Sequence, residues 1–174
     1  MNDQIKEILS YLEKRNDYLI WAGFAKYAYL EGEYSADVDI FTDTPETKRD
    51  IIADFQKLGW QVPTISTIRL RWDWNRSEKG GTTFDVVYSP RATQLIIPEK
   101  VELIVEGYKL QFISKEWLYL TKLGQLIWKG RSEEKRQRDI QAVLGLEDLI
   151  DAQKIVKFVS QLPACFWKEG EIQD

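Results

Sequence analysis

Apolar positions recur along this chain at two different periods, and the change from one to the other divides it. Ile5, Ile8, Leu9 and Leu12 fall at helical spacing, which predicts an amphipathic helix over 2–15. "YLIWAG" is a short apolar run ending in small residues, the signature of a buried strand entering a tight turn. "FAKYAYL" follows as a short helix closed by Gly32, and a strand comes next at about 37–42. Thr44 and Pro45 supply an N-cap and a first helical residue. Ile51, Ile52, Phe55 and Leu58 give that helix its buried stripe, and Gly59 ends it. In "TIRLRWDW", Ile68, Leu70, Trp72 and Trp74 alternate with Thr67, Arg69, Arg71 and Asp73, a period of two that predicts one strand. "NRSEKGG" reads as a turn or mobile loop, "TTFDVVYS" as a strand, and "VELIVEGYKLQFIS" as a hairpin about Glu106-Gly107.

After Ser114 the period becomes helical throughout, with helices expected at about 115–129, 132–144 and 147–161. Ser132 followed by Glu133 and Glu134 starts the second, because acids favour the positive end of the helix dipole. Gly145 is expected to stop it, and Pro163 to end the third. The expectation is an α+β protein: an α/β core over 1–113 and a helical C-terminal segment, 114–174, packed on it.

Composition narrows the chemistry. With 174 residues and 44% apolar content the chain can bury a core. No apolar run approaches the length that spans a bilayer, and "MNDQIKEILS" lacks the basic start of a signal peptide. The single cysteine, Cys165, suits a reducing cytoplasm, which is the expected location. Histidine is absent, which excludes Ser-His-Asp and Cys-His triads and His-ligated zinc. Catalysis, if present, falls to carboxylates, lysines, hydroxyls or a bound metal.

The strand "DVDIFT" then stands out. Residues i and i+2 of a strand share a face, so Asp37 and Asp39 project together. Close like charges resist joint ionisation unless a cation lies between them. Mg²⁺ suits such a site, because it takes oxygen ligands and few protein carboxylates. Asp85, flanked by Phe84 and Val86, is the candidate third acid. Three converging carboxylates would hold metal for in-line attack on a phosphate. The bland alternative is a solvated strand end. Before this strand, Ala22-Gly23 opens a helix whose first amides favour phosphate, with Gly23 allowing close approach. Lys129, Arg131, Lys135, Arg136 and Arg138 form a basic stretch that would receive triphosphate or RNA, or else pair along a solvated helix face. In "RLRWDWNR" the tryptophans are read as core and the arginines as an outer face.

"AGFAKYAYLEGEYSADVD" resembles the nucleotidyltransferase superfamily, in particular small bacterial members and toxin-like members of the AbiEii kind. These carry a strand, a G-G or G-S turn, a short helix, then R-[ST]-x-D-[IV]-D, with a third Asp on a later strand. Ser35, Asp37, Val38 and Asp39 match, and Asp85 fits the third acid. Ala22 stands where the family has its first Gly, and Tyr34 where it often has Arg. In "WLYLTKLGQLIWKGRSEEKRQRDIQAVL", Lys122, Arg131, Arg138 and Asp139 match the helical tail of such proteins.

The resemblance implies a mixed nucleotidyltransferase-like sheet with flanking helices. It also implies Mg²⁺-dependent transfer of a nucleoside monophosphate from an NTP to a hydroxyl of an RNA, protein or small-molecule acceptor, with Mn²⁺ as a substitute ion. Asp37, Asp39 and Asp85 would be the catalytic and metal residues. Gly23, Ser35, Lys122, Arg131 and Arg138 would bind nucleotide. The alternative is a catalytically silent protein of the same fold that binds a cognate toxin or antitoxin.

Overall fold

The computed structural model describes residues 1–30, 32, 35–62, 67–69 and 72–162. The chain divides into two compact units, Met1–Ile113 and Ser114–Asp174.

The first unit is built on β1 (Tyr18–Trp21), β2 (Asp37–Thr42), β3 (Thr67–Arg69), β4 (Trp72–Lys79), β5 (Thr82–Tyr88), β6 (Val101–Val105) and β7 (Tyr108–Phe112). They form one sheet in the order β3-β4-β5-β2-β1-β7-β6. β2 runs parallel to β5 and antiparallel to β1, and β1 runs parallel to β7, so the sheet is mixed. The helices of this unit are α1 (Asp3–Leu12), α2 (Ala22–Leu30), α3 (Pro45–Lys57) and α4 (Pro90–Leu95).

Side-chain alternation gives β2 two unlike faces. Val38, Ile40 and Thr42 are fully buried on one of them. Phe84, on β5 in register with Val38, shares that face and meets Phe55 of α3 at 4.5 Å between ring centroids. Trp60 closes on Phe55 at 5.3 Å, and Tyr11 of α1 meets it edge-on at 5.0 Å. Burying one such ring contributes roughly 1.5–3 kcal/mol, so this cluster holds α1 and α3 against the sheet.

The chain signals at the element ends act as their chemistry dictates. The Thr44 hydroxyl accepts from the Thr47 amide, with Pro45 opening α3. Glu106 and Gly107 both take positive φ between β6 and β7, as a two-residue hairpin turn with matched twist requires.

Three expectations are corrected. The alternating run "TIRLRWDW" is two strands, with Thr67 pairing Trp74 and Arg69 pairing Trp72 in an antiparallel ladder. "NRSEKGG" is mostly strand: β4 continues to Lys79 and turns at Gly80-Gly81 into β5. Pairing with the apolar β5 holds this polar stretch extended, and Ser77 is fully buried on it. Gly145 does not stop its helix, which runs on because Leu146 is fully buried.

The second unit holds α5 (Lys115–Ile127), α6 (Glu133–Glu147) and α7 (Ala152–Gln161), capped at their starts by Ser114, Ser132 and Asp151. Trp117 of α5 stacks on Phe158 of α7 with centroids 4.7 Å apart. Among the described residues, no helix is long and apolar enough to cross a membrane. Tyr34, Arg71, Pro163 and Cys165 lie outside the described residues.

Candidate active site

β2 brings its two aspartates to the end of the sheet where β1 passes into α2. Trp21, the last residue of β1, pairs with Asp39. The next residue, Ala22, takes a left-handed φ of 59° and turns the chain into α2. An L-residue with a Cβ enters this region at a cost of roughly 1–2 kcal/mol. The indole of Trp21, the residue before α2, donates but does not accept, so its side chain cannot cap the first amides of the helix.

Gly23 follows, and a Cβ built on it would lie 2.9 Å from Ser35 Cβ. The two residues expected to bind phosphate are thus packed against each other. Ser35 Oγ also accepts from the Asp37 amide at 3.2 Å, tying the loop to the start of β2.

The three acids share one face of the sheet. Asp39 pairs in register with Asp85 on β5, and Asp37 with Thr83. Asp37 is exposed, Asp39 is half-buried, and Asp85 is 2% exposed. Thr83 Oγ1 donates to Asp37 Oδ1 at 2.7 Å.

Asp85 has a partner that sequence reasoning did not find. Arg76, in register with it on β4, donates from Nε to Oδ1 at 2.8 Å and from Nη2 to Oδ2 at 2.7 Å. The guanidinium lies 5.3 Å from the centre of the Trp74 ring on its own strand. Hydrogen bonding to Asp85 holds the Arg76 pKa above its ordinary value, with burial opposing and the charges of Asp85, Asp37 and Asp39 adding to it. No local signal marks Arg76, because its partner is on the neighbouring strand.

The donor set suits a hard cation in part. Among the described residues, no three acidic or thiol side chains gather closely enough to hold one ion. Asp37 and Asp39 remain as a same-face pair. One or two carboxylates completed by water and phosphate oxygens is the usual way proteins hold Mg²⁺. The pair fits that ion, while the Asp85 carboxylate is engaged by Arg76.

The remaining candidates lie in the second unit. Lys122 Nζ donates to Asp139 Oδ1 at 2.9 Å, and Arg131 Nε donates to Asp139 Oδ2 at 2.7 Å. Gln125 Oε1 accepts from both cations at 3.2 Å. Asp139 is 1% exposed, so Lys122 and Arg131 are two cations gathered on one buried carboxylate. Arg138 is exposed and pairs with Glu134 one turn away, an arrangement of small energetic weight.

No family model and no curated protein matches the sequence. Solved structures do resemble the chain in fold. The antibiotic-resistance factor ANT(2'')-Ia superposes with a TM-score of 0.61 at 15% identity, over 92% of this chain and 92% of that one. A lincosamide antibiotic adenylyltransferase bound to lincomycin gives 0.57 at 15%, over 86% and 98%. An antigenic nucleotidyltransferase-like protein from Paracoccidioides brasiliensis gives 0.56 at 16%, over 92% and 87%. The mixed sheet with its helices is therefore a nucleotidyltransferase-like fold.

Proposed function

We propose that this chain is a nucleotidyltransferase that moves a nucleoside monophosphate from an NTP to a hydroxyl of a small-molecule acceptor. One observation carries the reading: Asp37 and Asp39 project from one face of β2 beside the turn where Gly23 packs on Ser35. The named activities of two proteins of similar fold, an antibiotic adenylyltransferase and an antibiotic-resistance factor, favour a small molecule over RNA or protein as acceptor.

In this reading the acceptor oxygen attacks the α-phosphorus and forms a new phosphate ester, the α–β phosphoanhydride bond breaks, and pyrophosphate leaves. The hydroxyl proton passes to a carboxylate of the site. Asp37 and Asp39 hold Mg²⁺, or Mn²⁺ in its place. When bound, the ion neutralises phosphate charge and polarises the phosphoryl group. The first amides of α2 bind phosphate oxygens, and Gly23 lets them come close. Ser35 holds the turn in register with Asp37 through its hydrogen bond.

The test is a calorimetric titration of each NTP with and without Mg²⁺, into the parent and Asp39→Ala. Binding is expected only to the parent with Mg²⁺. Equal binding in all four conditions rejects the proposal.

A second reading, a silent binding protein of the same fold, draws on the Arg76 grip on Asp85 and on the left-handed Ala22. It predicts no Mg²⁺-dependent binding, and a stable complex with a toxin or antitoxin partner in co-purification. The NTP titration separates the two.

A further inference from the structure

The Arg76–Asp85 pair invites a different division of labour among the charged groups of this face. Asp85 is buried, and both of its oxygens accept from one guanidinium. The Arg76 side chain, by contrast, is 44% exposed. The bonds to Asp85 use Nε and one N–H of Nη2. A guanidinium carries further N–H donors in a fixed plane, and that plane matches phosphate oxygens in pairs.

Rigid positioning is what distinguishes this arginine from a surface one. Two hydrogen bonds fix its plane, and the Trp74 ring lies beneath it. A long flexible side chain loses conformational freedom when a ligand immobilises it. Arg76 has already lost that freedom in folding. The charges of Asp37 and Asp39 also act on Arg76, so it belongs electrostatically to the same site.

We propose that Arg76 is a phosphate-binding residue of this site, and that Asp85 is the positioning residue that aims it. The proposal rests on the nucleotidyltransferase reading. The face then works by opposed charges: Asp37 and Asp39 recruit the cation, and Arg76 meets the anionic phosphate chain beside it. The third acid serves the reaction through an arginine instead of through an ion.

Two measurements test this. The first uses Mn²⁺ alone, followed by electron paramagnetic resonance without nucleotide. Asp39→Ala should abolish binding, while Asp85→Asn should stay within about twofold of the parent. Equal loss in Asp85→Asn would make Asp85 an ion ligand and overturn its assignment as the holder of Arg76.

The second measurement titrates the tightest of the four NTPs, and its nucleoside, at saturating Mg²⁺. Arg76→Gln should weaken the NTP by about tenfold or more, the usual effect of losing charged hydrogen bonds, and should leave the nucleoside within about twofold. Asp85→Asn should weaken the NTP in the same direction. An unchanged NTP affinity in Arg76→Gln overturns the proposal, as does an equal loss of nucleoside. Where thermal unfolding shows that Arg76→Gln does not fold, Arg76→Lys decides. It keeps the charge but loses the paired donors, so parental NTP affinity in that variant also overturns the proposal. A parent that binds no NTP with Mg²⁺ removes the reading of the whole site instead, a result distinct from a failing variant.

Discussion

Gly23 and Ser35 approach so closely that a Cβ on the glycine would lie 2.9 Å from Ser35 Cβ and 3.0 Å from Ser35 Oγ. Ser35 in turn is tied to the first amide of the acidic strand. Gly23→Ala must therefore push the serine away, and with it the start of β2. Forcing an extra methyl into a packed contact costs typically 1–3 kcal/mol. We expect Gly23→Ala to lower stability by about 1–2 kcal/mol and to reduce NTP affinity. Adding Ser35→Gly should recover the stability, because it empties the space the methyl needs. Urea denaturation of the single and double variants measures both terms. A single variant as stable as the parent would show that the loop yields without cost.

The residue before it makes the opposite prediction. Ala22 turns from β1 into α2 at φ 59°, where a Cβ is strained. Glycine adopts this conformation at no steric cost, although it gives the unfolded chain more freedom. Strain relief exceeds that entropy term, so Ala22→Gly should stabilise the fold by about 0.5–1 kcal/mol. The melting temperature should rise by roughly 1–4 °C for a chain of this size. A fall would mean that the turn tolerates alanine without strain.

These two neighbours illustrate what could be read from the chain and what could not. The acidic strand was legible because Asp37, Asp39 and the apolar Val38 and Ile40 obey a period of two, and DVDIFT forms β2. Thr44 with Pro45, and Glu106 with Gly107, were legible because caps and tight turns are local chemistry. Ser89 with Pro90 carries the same start signal, yet α4 is only six residues long and shows no period. The second half of β4 was hidden because Asn75, Arg76, Glu78 and Lys79 carry no apolar alternation. Its extended form comes from β5 alongside. Arg76 was hidden for the same reason, since a charged residue acquires meaning only from its neighbour across the ladder.

Asp139 tests whether Lys122 and Arg131 serve the fold or a ligand. The carboxylate is 1% exposed and accepts from both cations. Removing the sole counter-charge of a buried ion costs about 3–5 kcal/mol, because charge is left without compensation in a place water cannot reach. Asp139→Ala strips both cations of their carboxylate and should cost about that much. Lys122→Met leaves Arg131 on Asp139 and should cost less, about 1–2 kcal/mol. Chemical denaturation gives the order. If Lys122→Met retains stability and loses NTP affinity, the lysine acts on phosphate and not on the fold.

A last prediction concerns acid, where two neighbouring carboxylates pull in opposite directions. Burial pushes the Asp17 carboxyl up. Hydrogen bonds and charge from Arg15, with help from Thr47, outweigh it, so the net position is below the ordinary carboxylate value. A carboxyl depressed by folding adds stability above its unfolded pKa of about 3.9 and loses it as pH falls through the folded value. Asp43 behaves oppositely. Burial raises its pKa, the Lys100 charge offsets part of this, and Asp17 adds to the rise. Its protonation therefore favours the folded state as the medium is acidified. Asp17→Asn should cost under about 1 kcal/mol at pH 7, since the pair is partly exposed and screened. That cost should shrink toward zero below pH about 4. Asp43→Asn should show a gain at pH 7 that also vanishes in acid, because the parent's carboxyl is then neutral. Urea midpoints of the parent and both variants between neutral pH and pH about 3 measure these gaps. A gap for Asp17→Asn that stays constant across this range would mean that Arg15 does not stabilise the ionised carboxyl.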